Sequence, residues 1–451
     1  MRPYLPGTIE AIIININSRI IRIASQGITL QMSQIKLLFF LALCAAFLGG
    51  CVTNPVTGKS DFSLVSAQEE VAMGQKQYLP SQQQQGGRYV TDPNLNAYIN
   101  RVGQKLAAVS DRKNLPYEFV VLNSDVPNAW ALPGGKVAIN RGLLVKLQDE
   151  SQLAAVLGHE IVHAAARHGA QQMSQGMLLN VGVQAVGIAS RNSGYGALAN
   201  AGAGLGAQAW TAQYSQGNEL ESDRYGMQYM VRAGYEPEGA VELQKVFVKM
   251  SESRQSSSLD TFFASHPPSQ ERVLANQRMA ASMPSGARNK AQFQRAIAQL
   301  KRDQPAYQAY QEGSKALKNK NYSLALKKAN TAIKQQSSET LFWQLKGIVL
   351  AQQNKNSEAL KAFNKAVAAN PEYFSPLLYR GLLGRELKKN RQAEQDLIAS
   401  YRLLPTQVAS YYIGDLALAR GDRYTAKTYL TRTAQGGGKL GQKAQARLNQ
   451  L

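Results

Sequence analysis

At 451 residues the chain is long enough for two or three domains, each able to bury its own core. Hydrophobic residues make up 44% of it and charged residues 18%, which excludes a wholly disordered chain. The net charge of +21 favours anionic partners, yet the lysines are spread through helical stretches with no recognition element among them, so no nucleic-acid partner is expected.

Residues 1–31 do not read as an ordinary leader, and Met32 is the expected true start. From there Lys36, an apolar run from Leu37 to Leu48 and the small residues Gly49 and Gly50 make an export signal. The run is too short to span a bilayer. Residues 1–50 are therefore read as a leader. Its Leu48-Gly49-Gly50-Cys51 end resembles a bacterial lipobox. That likeness implies a lipid anchor on Cys51, and Val52 after it implies an outer-membrane address. Cys44 and Cys51 are the only cysteines, so a chain cut before Cys51 forms no internal disulfide and no thiolate metal site. Removing Arg2, Arg19, Arg22 and Lys36 together with Glu10 leaves a charge of +18.

Residues 51–92 read as a linker and a first helix. Ser66 caps a helix starting near Ala67, with Glu69 in the capping-box position. Gln82–Gln85 with Gly86-Gly87 reads as a loop without an assigned role. Leu95, Ile99, Val102 and Leu106 predict a helix across 94–109. Tyr117–Leu122 predicts a strand. A second strand from Asn128, the turn Pro133-Gly134-Gly135 and a third strand Lys136–Asn140 follow, then a short helix at Leu143 and Leu144. Lys136, Val137, Ala138, Ile139 and Asn140 are the expected exposed edge for an extended peptide substrate.

The next stretch is Gly158-His159-Glu160-Ile161-Val162-His163 within apolar surroundings. On a helix, His159 and His163 share one face and can hold one divalent ion, with Glu160 beside them to take a proton from water. The chain has four histidines, and His159, His163 and His168 fall within ten residues. His168 lies roughly 140° round the helix from His163 and reads as packing or hydrogen bonding. A tetrahedral zinc still lacks one protein ligand, which must be His, Asp or Glu. Residues 182–206, rich in Gly and Ala, read as a lid over the cleft.

The order Asn128-Ala129, Leu132-Pro133-Gly134-Gly135, Gly142-Leu143-Leu144, Gly158-His159-Glu160-x-x-His163, then Glu219-x-x-x-Asp223, resembles the M48 family of zinc metallopeptidases. The resemblance implies an α+β, zincin-like domain across 93–290, mostly helical with a small sheet, that binds one Zn2+ per chain. It puts Glu219 on the metal as the third ligand and Asp223 behind a liganding histidine, with Glu221 the main competitor for the third ligand. Ser222 stands where Ala is the commoner family residue. Ser265-His266-Pro267 with Arg272 resembles the family's His-Pro…Arg element. It implies His266 near the metal, steadying an oxyanion or filling the open position of a resting form, and Arg272 orienting substrate or stabilising charge. Glu160 is the expected general base.

Gly313, Gly347, Gly381 and Gly414 recur at spacings of 34, 34 and 33, each followed twelve residues later by Ala. This period resembles tetratricopeptide repeats and implies an α-solenoid over 303–440, with 441–451 as a cap. Its rims should be basic through Lys315, Lys318, Lys320, Lys327, Lys328, Lys361 and Lys365. Peptidase and repeats together resemble the BepA-like periplasmic quality-control proteases. That implies a zinc metalloendopeptidase cutting misfolded or stalled envelope proteins, partnered through the repeats with the outer-membrane β-barrel assembly machinery. The implied location is the periplasm, at the inner face of the outer membrane through Cys51. The competing expectation is a chaperone-like binding scaffold with little or no proteolysis.

Overall fold

The computed structural model describes residues 51–177, 214–252 and 263–451. The leader and the glycine-rich stretch 182–206 lie outside them. The chain divides into two units. In the first, β1 (Cys51–Thr53) and β2 (Ser60–Phe62) form an antiparallel hairpin, tied by Asn54 Nδ2 donating to Asp61 Oδ2 at 2.9 Å. The second holds everything from Val65 onward. No helix among the described residues is long and apolar enough to cross a membrane.

Helix α1 (Ala67–Gln84) opens with the expected capping box: Ser66 Oγ accepts from the Glu69 amide, and the Glu69 carboxylate accepts from the Ser66 amide at 2.8 Å. It runs through most of the glutamine stretch, so only Gln85, Gly86 and Gly87 form the break. Helix α2 (Pro93–Ala107) buries Leu95, Ile99, Val102 and Leu106, as their spacing requires.

Strands β3 (Glu118–Leu122), β4 (Ala129–Leu132) and β5 (Lys136–Asn140) form a mixed sheet in the order β3-β5-β4. Strand β5 is parallel to β3 and antiparallel to β4. Lys136–Asn140 is therefore the central strand, with all five residues buried, and the expected substrate edge there is overturned. The reason is topological. Gly134 (φ +81) and Gly135 (φ +87) supply the left-handed turn that folds β5 back on β4, and β5 then lies beside β3. The outer edge on this side belongs to β4. The Asn128 and Leu132 carbonyls accept from Asn140 and Gly135, so alternation turns the backbone groups of Ala129 and Ala131 the other way.

Helix α3 (Arg141–Leu144) leads to α4 (Glu150–Ala165), whose sixteen residues are all buried. Asp149 caps α4, its carboxylate accepting from the Gln152 amide at 3.1 Å. Helices α5 (Gln216–Arg232) and α6 (Glu238–Glu252) pack on α4, and α7 (Gln270–Ala280) packs on both. Helices α4 and α5 meet at glycines. A Cβ on Gly226 would stand 2.9 Å from the His159 amide nitrogen, and one on Gly158 would stand 3.0 Å from the Gly226 carbonyl oxygen. That close approach brings the two helices' polar side chains together.

After α8 (Lys290–Ala296) and α9 (Ala298–Arg302) the chain becomes a repeating α-solenoid of tetratricopeptide type. Its helix pairs are α10 (Gln304–Lys318) with α11 (Tyr322–Gln335), α12 (Thr340–Gln352) with α13 (Asn356–Ala369), α14 (Phe374–Glu386) with α15 (Asn390–Leu403), and α16 (Gln407–Ala419) with α17 (Arg423–Gln435). Helix α18 (Gly438–Leu448) packs on α17. The repeat glycines and alanines sit where paired helices touch. A Cβ on Gly347 would lie 2.5 Å from the Phe363 ring, and Ala325, Ala359, Ala393 and Ala426 are fully buried.

The solenoid docks on the sheet side of the peptidase-like domain. Glu339, 1% exposed, accepts from Asn123 Nδ2 at 2.8 Å, Thr91 Oγ1 at 3.1 Å and the Tyr307 hydroxyl at 2.6 Å. Arg141 stacks 3.5 Å over the Tyr307 ring and donates to Asn123 Oδ1 at 2.9 Å. The glutamine stretch has a role here. Gln83 donates to the Glu372 carbonyl at 2.9 Å and accepts from the Phe374 amide at 2.8 Å, while Gly87 (φ +73) lies against the Tyr373 ring. One apolar core runs from Tyr89 through α4 to Phe342 and Tyr373.

Candidate metal centre

Helix α4 carries His159, Glu160 and His163, α5 carries Glu219 and Asp223, and the turn before α7 carries His266. His159, His163, Glu219 and His266 are all buried, and one donor atom from each falls within 4.8 Å of the others. The separations are more telling. His159 Nε2 lies 3.0 Å from His163 Nε2, 3.5 Å from Glu219 Oε2 and 3.4 Å from His266 Nδ1. Glu219 Oε1 lies 3.3 Å from His163 Nε2 and 3.1 Å from His266 Nδ1. Ligands about 2.0–2.1 Å from a tetrahedral zinc stand roughly 3.3 Å apart. These separations lie near that spacing, so the four side chains could hold one such ion.

His159 and His163 are each held from behind. His159 Nδ1 faces Asp223 Oδ1 at 3.0 Å. Asp223 in turn takes Arg272 Nε and Nη2, both at 2.7 Å, and Gln244 Nε2 at 3.2 Å. His163 Nδ1 faces His168 Nδ1 at 2.9 Å, and His168 Nε2 faces Glu221 Oε1 at 3.2 Å. Glu221 therefore stands behind His168, away from the four-donor set. Tyr214 stacks on the His163 ring at 3.8 Å between centroids. These partners fix ring orientation and tautomer, so that both Nε2 lone pairs converge.

The electrostatics suit a cation. Burial alone would strip the proton from His159, but the carboxylates of Glu219 and Asp223 outweigh it and hold its pKa up at about 10. Burial pushes Glu219 up as well, but His266 and His159 outweigh it and leave the carboxylate well below its usual range. Burial likewise pushes Asp223 up, and Arg272 reverses the sign. A divalent ion can take the place of the shared proton. Arg272 also reaches Glu219 Oε2 at 2.8 Å and the Pro267 carbonyl at 3.1 Å, so its contacts are with the carboxylates and the turn that carries His266. His266 Nε2 lies 3.7 Å from Glu160 Oε1. Burial raises the pKa of Glu160, and its Oε2 is buried without a partner among the described residues.

Replacing Asp223 by Asn, or His168 by Phe, should weaken zinc binding about 10- to 100-fold, read by competition with a chromogenic chelator. Unchanged affinity would show that the two rings need no such support.

A cleft opens beside this cluster, lined by His159, Glu160 and His266 and by side chains of α5, α6 and α7. Ala129 of β4 lines it too, which puts the outer strand of the sheet at its border. The sequence pointed to seven of the residues gathered here: His159, Glu160, His163, Glu219, Asp223, His266 and Arg272. It did not single out Tyr214, Gln244 or Asn276. A lone Tyr, Gln or Asn in a helical region carries no spacing signal that would have found them.

Residues 93–280 match the model of Peptidase family M48. Over 221 residues, 47% of this chain, the sequence is 34% identical to the beta-barrel assembly-enhancing protease of Yersinia pestis, covering 44% of that protein. Over 246 residues, 53% of this chain, it is 32% identical to the protein of the same name in Escherichia coli strain K12, covering 49% of it. The match thus spans just under half the length of each of these relatives. The mitochondrial metalloendopeptidase OMA1 of Schizosaccharomyces pombe is 29% identical over 49% of this chain and 63% of its own length. The chain thus combines a domain that matches the Peptidase family M48 model, and is similar to these assembly-enhancing proteases, with a helical solenoid.

Proposed function

We propose that this chain is a zinc-dependent metalloendopeptidase that cuts misfolded or stalled envelope proteins, outer-membrane β-barrel proteins above all. The observation that carries the reading is the buried set of His159, His163, Glu219 and His266 at tetrahedral spacing, with Glu160 beside it. The names of the bacterial relatives suggest the client class and the partner, the β-barrel assembly machinery, which the solenoid would engage. Placement in the periplasm, anchored at the outer membrane through Cys51, belongs to the same proposal and rests on the Leu48-Gly49-Gly50-Cys51 pattern.

One Zn2+ held by His159, His163 and Glu219 would supply Lewis acidity for the scissile carbonyl and for the attacking water. Glu160 takes the proton of that water and passes it to the leaving amine. Its burial suits the task, because a carboxylate with a raised pKa both accepts and returns a proton readily. Arg272 acts through Asp223 and Glu219, balancing charge and holding the His159 ring. A substrate strand lies along the β4 edge, pairing with the backbone of Ala129 and Ala131.

His266 Nδ1 fills the fourth corner, which a working site leaves open. That observation favours a resting form, and it also gives the scaffold alternative its one support. Replacing His266 by Ala distinguishes the two. With zinc near one per chain in both proteins, the variant should cleave casein about tenfold or more faster than the parent. A loss of cleavage in the variant would assign His266 to catalysis. No cleavage by either protein, with zinc bound, would favour the scaffold.

A further inference from the structure

The cleft beside the metal centre has apolar walls, among them Val156, Met230, Leu243 and Phe247, but its lining is not uniformly apolar. Ser222, Gln244 and Asn276 also line it, at 0%, 3% and 1% exposure. Ser222 Oγ, Gln244 Oε1 and Asn276 Oδ1 are each buried without a hydrogen-bond partner among the described residues. Buried polar atoms in folded proteins are almost always paired, and these three orphans, lining one cleft together with Glu160 Oε2, call for an occupant. Gln244 cannot escape by turning over its amide. Its Nε2 is committed to Asp223, which leaves Oε1 as an acceptor with nothing to accept.

From this we propose that the cleft receives the substrate side chain flanking the scissile bond, and that Ser222, Gln244 and Asn276 make it prefer tyrosine to phenylalanine. The inference rests on the peptidase reading above and adds its specificity. The walls suit an aromatic ring, and the neutral acceptors suit a neutral donor at its tip. A tyrosine hydroxyl donates to Gln244 or Asn276 and accepts from Ser222, so two of the three orphans are paired at once. A phenylalanine ring would fill the same space and leave them unpaired. Ser222 gains a purpose in this arrangement. An alanine there would keep the packing and lose the hydroxyl.

The experiment uses the full chain loaded with zinc and two peptide hydroxamates that differ only in tyrosine or phenylalanine at the flanking position. Calorimetry gives the ratio of their dissociation constants, and cleavage of the matching peptides is followed in parallel. The tyrosine compound should bind about tenfold tighter, as one well-placed buried hydrogen bond allows. The ratio should fall toward one in Ser222→Ala and in Asn276→Leu. Because the ratio is taken within each protein, partial misfolding of a variant cancels. Equal binding in the parent, no binding of either compound, or a ratio unchanged in both variants would overturn the proposal. If neither peptide is cut while the ratio holds, the peptidase reading fails and the pocket stands. If both peptides are cut equally and bind equally, the pocket fails and the peptidase stands.

Discussion

Replacing Glu160 by Gln should leave zinc content near one per chain and slow casein cleavage by a hundred- to ten-thousandfold. That range is what a positioned general base contributes. Glutamine keeps the size of the side chain and its place on α4, so the cluster of His159, His163, Glu219 and His266 stays intact. The group that is lost is the one able to take a proton and give it back. Glu160 is buried at 3% exposure, and no other carboxylate of the cluster is available for the task, because Glu219 and Asp223 are engaged with His159, His163 and Arg272. Zinc content and cleavage must be measured on one preparation. A variant that loses both would place Glu160 in metal retention. Near-parental cleavage with zinc bound would remove Glu160 from the chemistry.

Much of this site is legible in the sequence because its parts are local. His159, Glu160 and His163 follow from helical spacing, and the cap at Ser66 follows from a short-range pattern that the backbone then adopts. The pairing of Glu219 with the histidines is long-range, and only the family pattern picked it over Glu221. In the fold the difference is clear. Glu219 faces the ring nitrogens directly, while Glu221 stands behind His168. Sheet order was not legible. Strands β4 and β5 declare themselves as a hairpin, but the parallel pairing of β5 with β3 joins segments with no shared local signal, so the inner strand reads as an edge. The role of the glutamine stretch was hidden for the same reason. Gln83 meets its partners at Glu372 and Phe374, almost three hundred residues on. The solenoid, by contrast, repeats its signal. Lys320, Asn354, Lys388 and Gly421 all take positive φ at the same turn of successive repeats, in step with the glycines and alanines.

Replacing Glu339 by Ala should destabilise the protein by about 3–5 kcal/mol, the range for breaking a buried charged contact, and should separate its unfolding into two transitions. Glu339 caps α12 by accepting from the Leu341 amide at 3.0 Å, and it gathers Asn123, Thr91 and Tyr307 around one buried carboxylate. With alanine there, the Asn123 amide and the buried Tyr307 hydroxyl lose their acceptor, and each stranded group costs about 1–3 kcal/mol. Arg141 then keeps its place over Tyr307 without the Glu339 charge beside it. Glu339→Gln keeps the shape and one acceptor oxygen, so its cost should be smaller, about 1–2 kcal/mol. Urea unfolding followed by both near-UV and far-UV signals reads the outcome. Coincident curves at an unchanged midpoint would mean that the apolar contacts around Phe342 and Tyr373 hold the two halves together without Glu339. The metal centre supplies a second readout. Residues Asn123 and Arg141 flank the sheet and α3, which precede α4, so a released solenoid should loosen zinc binding as well. If zinc affinity holds while the solenoid separates, the peptidase-type domain stands on its own core and the repeats serve it as a docked partner-binding arm.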